Sequence, residues 1–335
     1  MQRSIAVLGA GGWGTALALL LAEKKYKVTL WARRPSFADR LASVRENQDY
    51  LPGIRLPNSI QITSDLERAV YGCDVLILAV PSMGVRSIAR RISTLVHRNQ
   101  IIVNAAKGLE PDSLCRLSQV IAAELGSAYE DRIVALSGPT HAEEVSRHMF
   151  TAAVVSGTGW SSVELAQDVL MAPFFRIYTN PDLTGVEVAG ALKNVIALGA
   201  GILEGLGLGD NSKAALITRG LAEMARLGVA LGANPATFAG LAGLGDLVAT
   251  CTSPHSRNRR AGIALGQGKP LQAILDASPM VIEGIPATSA AWKMAQEYGV
   301  DMPITEQVHR IIFENQKPER SLALLMGRPK KGEFF

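Results

Sequence analysis

Two periodicities divide the chain. In the first half, short runs rich in Val, Ile and Leu alternate with amphipathic stretches. The runs predict strands at Ser4–Leu8, Lys27–Trp31, Ile60–Thr63, Asp74–Val80, Ile101–Ala105, Ile133–Leu136 and Ala152–Ser156. The stretches between them predict helices at Trp13–Lys24, Asp65–Tyr71, Val85–Leu95, Leu114–Leu125 and Ser161–Met171. Strands alternating with helices of this length indicate βαβ units and a parallel sheet. The run Val75-Leu76-Ile77-Leu78-Ala79-Val80 has no polar member, as expected of a strand covered on both faces. Beyond residue 182 the pattern changes to Ala, Leu and Gly with a period near 3.6. Helices are expected at Leu183–Leu203, Ser212–Leu231, Arg257–Leu265, Ile285–Tyr298 and Ile304–Phe313, with no strand among them. The expected fold class is α/β: a Rossmann-type doubly wound parallel sheet over residues 1–182, followed by a mostly helical domain over 183–335. The tail Arg328–Phe335 reads as frayed.

Two segments resemble membrane sequences. Ser4–Ala22 carries no charge and follows Arg3, but glycines at 9, 11, 12 and 14 cut the run in half. Leu183–Leu203 carries only Glu187 and Lys193 as charges, and those two with Asn194 argue for a buried soluble helix instead. No membrane span is expected.

Composition narrows the function classes. With 335 residues, 48% hydrophobic and 19% charged, the chain can bury a large core without metals or disulfides. The net charge of +4, from 34 basic and 30 acidic residues, is too small and scattered to suggest nucleic acid. Aromatic residues at 5% offer few platforms for stacked bases. The three cysteines, Cys73, Cys115 and Cys251, form no Cys-x-x-Cys pair and fit a reducing, cytoplasmic location. No metal-ligand spacing occurs among the five histidines.

Gly9-Ala10-Gly11-Gly12-Trp13-Gly14 fits Gly-x-Gly-x-x-Gly between the first strand and the first helix. Gly9 allows the tight turn, Gly11 the approach of a pyrophosphate, and Gly14 close packing of helix on strand, against the alternative of a plain glycine-rich turn. At the end of the second strand, where an acid would bind the ribose hydroxyls of NAD, the chain reads Trp31-Ala32-Arg33-Arg34. Paired arginines suit a 2′-phosphate; the competing reading is a solvated basic corner. The expected cofactor is NADP(H), with NAD(H) as a second possibility.

Lys107 and the turn Ser137-Gly138-Pro139-Thr140 follow the carboxyl ends of later strands, where open sheets bind ligands; the competing readings are an ordinary surface lysine and a plain turn. Lys193 is the oddest charge, an ammonium within Ala189-Gly190-Ala191-Leu192-Lys193-Asn194-Val195-Ile196-Ala197. Burial moves a lysine pKa from about 10.4 toward the 7–8 range useful for proton transfer; the plain alternative is a side chain that snorkels to the surface. Asp246 is a lone acid in Gly243-Leu244-Gly245-Asp246-Leu247 and a candidate partner for Lys193. Ser256-Arg257-Asn258-Arg259-Arg260 opens a helix and makes a candidate phosphate clamp, against a solvated basic face.

Together these motifs resemble the bacterial NAD(P)-dependent glycerol-3-phosphate dehydrogenase family. Tyr50-Leu51-Pro52-Gly53-Ile54, Ala106-Lys107-Gly108-Leu109-Glu110 and Val281-Ile282-Glu283-Gly284 add to the match, which runs from Ile5 to about Leu325. The resemblance implies reversible reduction of dihydroxyacetone phosphate to sn-glycerol 3-phosphate, a glycerophospholipid precursor. It implies Lys193 as catalytic acid/base. Lys107, Gly138, Thr140, Asp246, Ser256, Arg257 and Asn258 would contact substrate. Gly12, Trp13, Arg33, Arg34, Tyr50, Lys107, Ala142, Arg257, Val281 and Glu283 would contact cofactor. One departure stands out: the family often carries Ser where this chain has Gly12, so a hydroxyl contact is lost while the backbone N–H remains. A homodimer is a further expectation. The rival readings are a non-catalytic NADP-binding regulator and another hydroxyacid dehydrogenase of similar architecture.

Overall fold

The computed structural model describes residues 2–278, 280–330 and 332–333. Ten strands run in chain order: β1 Ser4–Leu8, β2 Lys27–Trp31, β3 Glu46–Asn47, β4 Leu51–Arg55, β5 Ile60–Thr63, β6 Val75–Leu78, β7 Ile101–Asn104, β8 Ile133–Ser137, β9 Thr151–Gly157 and β10 Phe175–Asn180. Eight form one sheet in the order β10-β9-β8-β7-β6-β1-β2-β5, while β3 and β4 pair in a small separate ribbon. The chain builds outward from β1 to β2 and β5, then restarts on the other side of β1 with β6. That restart leaves a crevice between the carboxyl ends of β1 and β6, where open sheets take their ligands. Alternate residues of β1 feed two cores: Ile5 and Val7 face one layer of helices, Ala6 and Leu8 the other.

Three expectations need correction. The sheet is not wholly parallel, because β9 runs antiparallel to β8. The link between them holds only a four-residue helix, Ala142–Val145, and turns back through His148 in the left-handed region (φ 58°). The helix expected from Leu114 begins at Leu117, since Leu114 is itself left-handed (φ 59°) and cannot continue a right-handed helix. Strand β10, the β3–β4 ribbon and helix Pro35–Val44 lie where no element was expected. In β10, Phe175 and Ile177 are buried while Arg176 and Tyr178 are exposed, the alternation of an edge strand.

From Leu183 onward every regular element among the described residues is helical. These include short helices at Asp246–Thr252 and Leu271–Asp276 and a longer one at Pro318–Met326, none of them expected. Helix Leu183–Gly205 is the axis of this half. The Asp182 carboxylate caps it, accepting from the Gly185 N–H at 2.9 Å. The helix is long and apolar enough to cross a membrane, but it is surrounded by its neighbours instead, with both Lys193 and Glu187 inside. Helix Arg257–Gly266 crosses it at very short range. A Cβ on Gly201 would sit 2.1 Å from the Arg259 carbonyl oxygen, and one on Gly262 would sit 2.2 Å from that of Leu198. Only glycine permits that approach, which fixes the start of helix Arg257–Gly266 relative to Lys193.

The two halves are tied by two carboxylates, Glu187 buried and Glu283 half-buried. Glu187 accepts from Arg116 Nη1 at 2.7 Å and from the Ser118 N–H at 2.8 Å. Glu283 accepts from the Ser82 N–H at 3.0 Å, and burial pushes its carboxyl above the usual range despite those bonds. A cleft of about 850 Å³ lies between the halves, over the β1–β6 crevice.

Candidate active site

The glycine-rich turn forms one end of this cleft. Gly9 has φ 120°, and a Cβ there would meet the Ala79 carbonyl oxygen at 2.7 Å. Gly14 packs so tightly that its Cβ would lie 1.8 Å from the Gly9 carbonyl oxygen. A Cβ on Gly11, in contrast, would meet nothing within 4 Å. Helix Gly12–Glu23 opens there with no side chain capping its first N–H groups. The Nε1 of Trp13 is buried without a partner. Open space, free N–H groups and a helix dipole together fit a pyrophosphate. At Gly12 a side chain would meet the Tyr50 carbonyl oxygen at 2.7 Å. The space that a family serine would fill is therefore taken here by the Tyr50 loop.

Past the end of β2, Arg33 and Arg34 stand exposed on the same cleft. Arg34 donates to the Tyr50 hydroxyl at 3.4 Å and lies over the Phe37 ring. Ala142, Val281 and Glu283 line the cleft farther along. The arginines, Gly11 and Lys107 all line this one cleft.

At the other end two lysines share one carboxylate. Lys193 is 6% exposed and Asp246 2%. Lys193 Nζ donates to Asp246 Oδ1 and, at 2.8 Å, to the Thr250 hydroxyl. Lys107 Nζ donates to Asp246 Oδ2 at 2.8 Å, the Gly138 carbonyl at 2.7 Å and Thr140 Oγ1 at 3.1 Å. Burial lowers the Lys193 pKa to about 8; Asp246 opposes the shift and Lys107 adds to it. Burial works against ionised Asp246, yet the Lys107 and Lys193 ammoniums hold its carboxyl below the usual range. The trio carries a net positive charge in a half-enclosed space, which favours an anionic or oxyanion-forming ligand.

Helix Arg257–Gly266 points its N-terminus at the same space. Ser256 caps it by accepting from the Arg259 N–H at 3.2 Å. Arg257 Nη1 donates to the Val281 carbonyl at 2.8 Å. Buried Asn258 is fully engaged, donating to Asn194 Oδ1 at 2.8 Å and accepting from the Gly284 N–H at 2.9 Å.

The sequence-predicted residues thus gather in one cleft, with two qualifications of place. Gly14 and Gly138 do not line it: Gly14 packs helix against strand, and Gly138 holds Lys107 through its carbonyl. Several lining residues went unread in the sequence. Thr250 follows Asp246 by one helical turn, a spacing that could have revealed it. His141 and His255, with ring centroids 6.1 Å apart, and Arg91 gave no sequence signal.

Comparison with known proteins converges on one family. The model for the N-terminal part of NAD-dependent glycerol-3-phosphate dehydrogenase matches residues 4–161, and that for the C-terminal part matches 182–323. A Pelotomaculum thermopropionicum protein named glycerol-3-phosphate dehydrogenase [NAD(P)+] is 52% identical, covering 100% of this chain and 96% of its own. A Bacillus subtilis protein of the same name is 48% identical, covering 99% and 96%. The crystal structure of glycerol-3-phosphate dehydrogenase from Coxiella burnetii superposes with a TM-score of 0.93 at 39% identity, covering 98% of this chain and 99% of the other. With both family models matched in order and relatives near 50% identity over the whole length, this chain belongs to the NAD-dependent glycerol-3-phosphate dehydrogenase family.

Proposed function

We propose that the protein interconverts dihydroxyacetone phosphate and sn-glycerol 3-phosphate with NADP(H), and with NAD(H) as a second cofactor. The observation that carries this reading is Lys193: a buried ammonium, held by Asp246 and Thr250, at the far end of a cleft that begins at a pyrophosphate cradle. Gly11, Gly12, Trp13 and the arginines past β2 would hold the cofactor, which supplies or accepts a hydride when bound. The remaining chemistry belongs to the chain. Protonated Lys193 stabilises negative charge developing on the C2 oxygen and donates a proton to it; neutral Lys193 accepts that proton in the reverse direction. Asp246 fixes the ammonium in place, and Lys107 adds positive potential beside it. Arg257 and the free N–H groups at its helix start suit the substrate phosphate, whose binding orients the reacting carbon. The product has the chemistry of a glycerophospholipid precursor, and a soluble reducing compartment fits the unpaired cysteines.

The direct test is loss of NADPH absorbance with dihydroxyacetone phosphate, repeated with NADH. Absence of turnover with either cofactor would leave the regulator reading. Turnover with a 2-keto acid instead of the phosphate would favour the hydroxyacid dehydrogenase.

Two further outcomes follow from the geometry. With Lys193 near pKa 8, kcat/KM for ketone reduction should be flat below that value and fall about tenfold per pH unit above it. For alcohol oxidation the same group is needed neutral, so kcat/KM should rise through pH 8 to a plateau. Profiles of the same slope in both directions would assign the inflection to another group. Arg257→Ala should raise KM for dihydroxyacetone phosphate by roughly 10- to 100-fold, the scale of a lost charge-assisted bond. Unphosphorylated dihydroxyacetone, a poor substrate in any case, should be affected far less. Equal losses on the two ketones would detach Arg257 from the phosphate.

A further inference from the structure

Helix Val85–Ile92 carries three arginines, and the fold treats them differently. Arg86 is paired with Glu110 and Glu124, and Arg90 with Glu124. Arg91 has no carboxylate partner among the described residues; its guanidinium lies 5.5 Å from the centroid of the Trp31 ring, on the wall of the cofactor cleft. Trp31 is the last residue of β2, buried against this helix with its Nε1 donating to the Ser64 carbonyl at 3.0 Å. Ala32 turns to the opposite core, and Arg34 lies on that second side with Phe37 and Tyr50. Arg33, just past the end of β2, lines the same cleft as Arg91.

Neither Arg33 nor Arg34 has a carboxylate partner among the described residues either. Three guanidiniums without counter-charge therefore border the end of the cleft opposite Lys193, two from the β2 turn and one from across the crevice. Unneutralised positive charge at one point is costly through self-repulsion and calls for an anion of more than one charge. Adenosine 2′-phosphate is such an anion; the ribose hydroxyls of NAD carry no charge.

We propose that Arg91 is a specificity-determining residue for the cofactor, closing on the 2′-phosphate of NADP(H) from the side opposite Arg34. The proposal rests on the dinucleotide reading of the cleft. The planar guanidinium keeps contact with the Trp31 ring while its N–H groups reach the phosphate, a combination that lysine cannot copy.

Two measurements test it on the full chain. In the first, Arg91→Leu and Arg91→Lys are compared with the parent in steady state with NADPH and NADH. KM for NADPH should rise about 10-fold more than KM for NADH in Arg91→Leu, with a smaller selective rise in Arg91→Lys. In the second, adenosine 2′,5′-bisphosphate and 5′-AMP are titrated against tryptophan fluorescence, without turnover. Arg91→Leu should lose affinity for the bisphosphate about tenfold more than for the monophosphate. Loss of both cofactors and both nucleotides alike, in a variant whose melting temperature is unchanged, would overturn the assignment and reduce Arg91 to a cover for Trp31. No change in any of them would overturn it too. The dehydrogenase reading fails separately, through an inactive parent protein, and the nucleotide titration stays readable in that case.

Discussion

Lys193→Ala should fold, bind NADPH and lose kcat by a factor of roughly 10² to 10⁴, the yield of a well-placed general acid. Cofactor binding should survive because the glycine-rich turn and the arginines past β2 belong to the sheet half, whereas Lys193 sits on the axis of the helical half. The substitution also removes a buried charge, so the pair of measurements matters. Asp246 keeps Lys107 as a partner at 2.8 Å, and the loss of stability should be modest for that reason. Lys193→Arg should rescue little: the guanidinium stays protonated at all working pH values and presents a planar fork instead of a compact ammonium. The slow residual reaction of Lys193→Ala should also lose the inflection near pH 8. A folded variant that binds NADPH and turns over at near-parental kcat would move the acid/base role to Lys107.

What the sequence disclosed and what it hid follow one rule. A feature was legible when its physical reason lay within a few residues. The glycines at 9, 11 and 14 are local to one turn, and the helix around Lys193 declares itself because a lone ammonium interrupts an apolar repeat. The sheet strands buried on both faces read clearly as unbroken apolar runs. The edge strand β10 did not, since only Phe175 and Ile177 of its six residues are buried. The link between Asp246 and Lys193 was open to guessing as a meeting of two misplaced charges. The second link, from Lys107 to the same carboxylate, was not, because it spans 139 residues and depends on how the halves dock. Arg91 was hidden for a related reason. In the sequence it is one of three arginines on an amphipathic helix, which reads as a solvated basic face. Only the positions of Glu110 and Glu124, and of Trp31 on β2, separate the free guanidinium from the paired ones.

Asp246→Asn should do more damage to stability than Lys193→Ala, although it changes fewer atoms. The carboxylate neutralises two ammoniums at once, and the amide neutralises neither. Removing one member of a buried ion pair typically costs about 3–5 kcal/mol, because the charge left behind has lost both water and partner. For a chain of this size that should lower Tm by several degrees or more. Relief comes through the proton: with its anion gone, Lys193 should titrate below its parental pKa of about 8 and be neutral in the folded variant at physiological pH. The sign of the pH dependence follows. Between the variant's lowered pKa and about 8, the unfolded chain and the parent fold both hold the lysine proton, and the variant fold does not. Raising pH through that window stabilises the variant relative to the parent, so the deficit in melting temperature should narrow toward pH 8. Activity should move in the matching direction. Ketone reduction needs the ammonium, so its pH profile should shift to the acid side and kcat at pH 7 should fall by about tenfold or more, while alcohol oxidation suffers less. Melting curves and bidirectional kinetics from pH 6 to 9 check the two halves together. A variant with parental Tm and an unshifted inflection would mean that the two lysines do not depend on Asp246, and that Thr250, at 2.8 Å from Lys193, suffices to hold the acid in place.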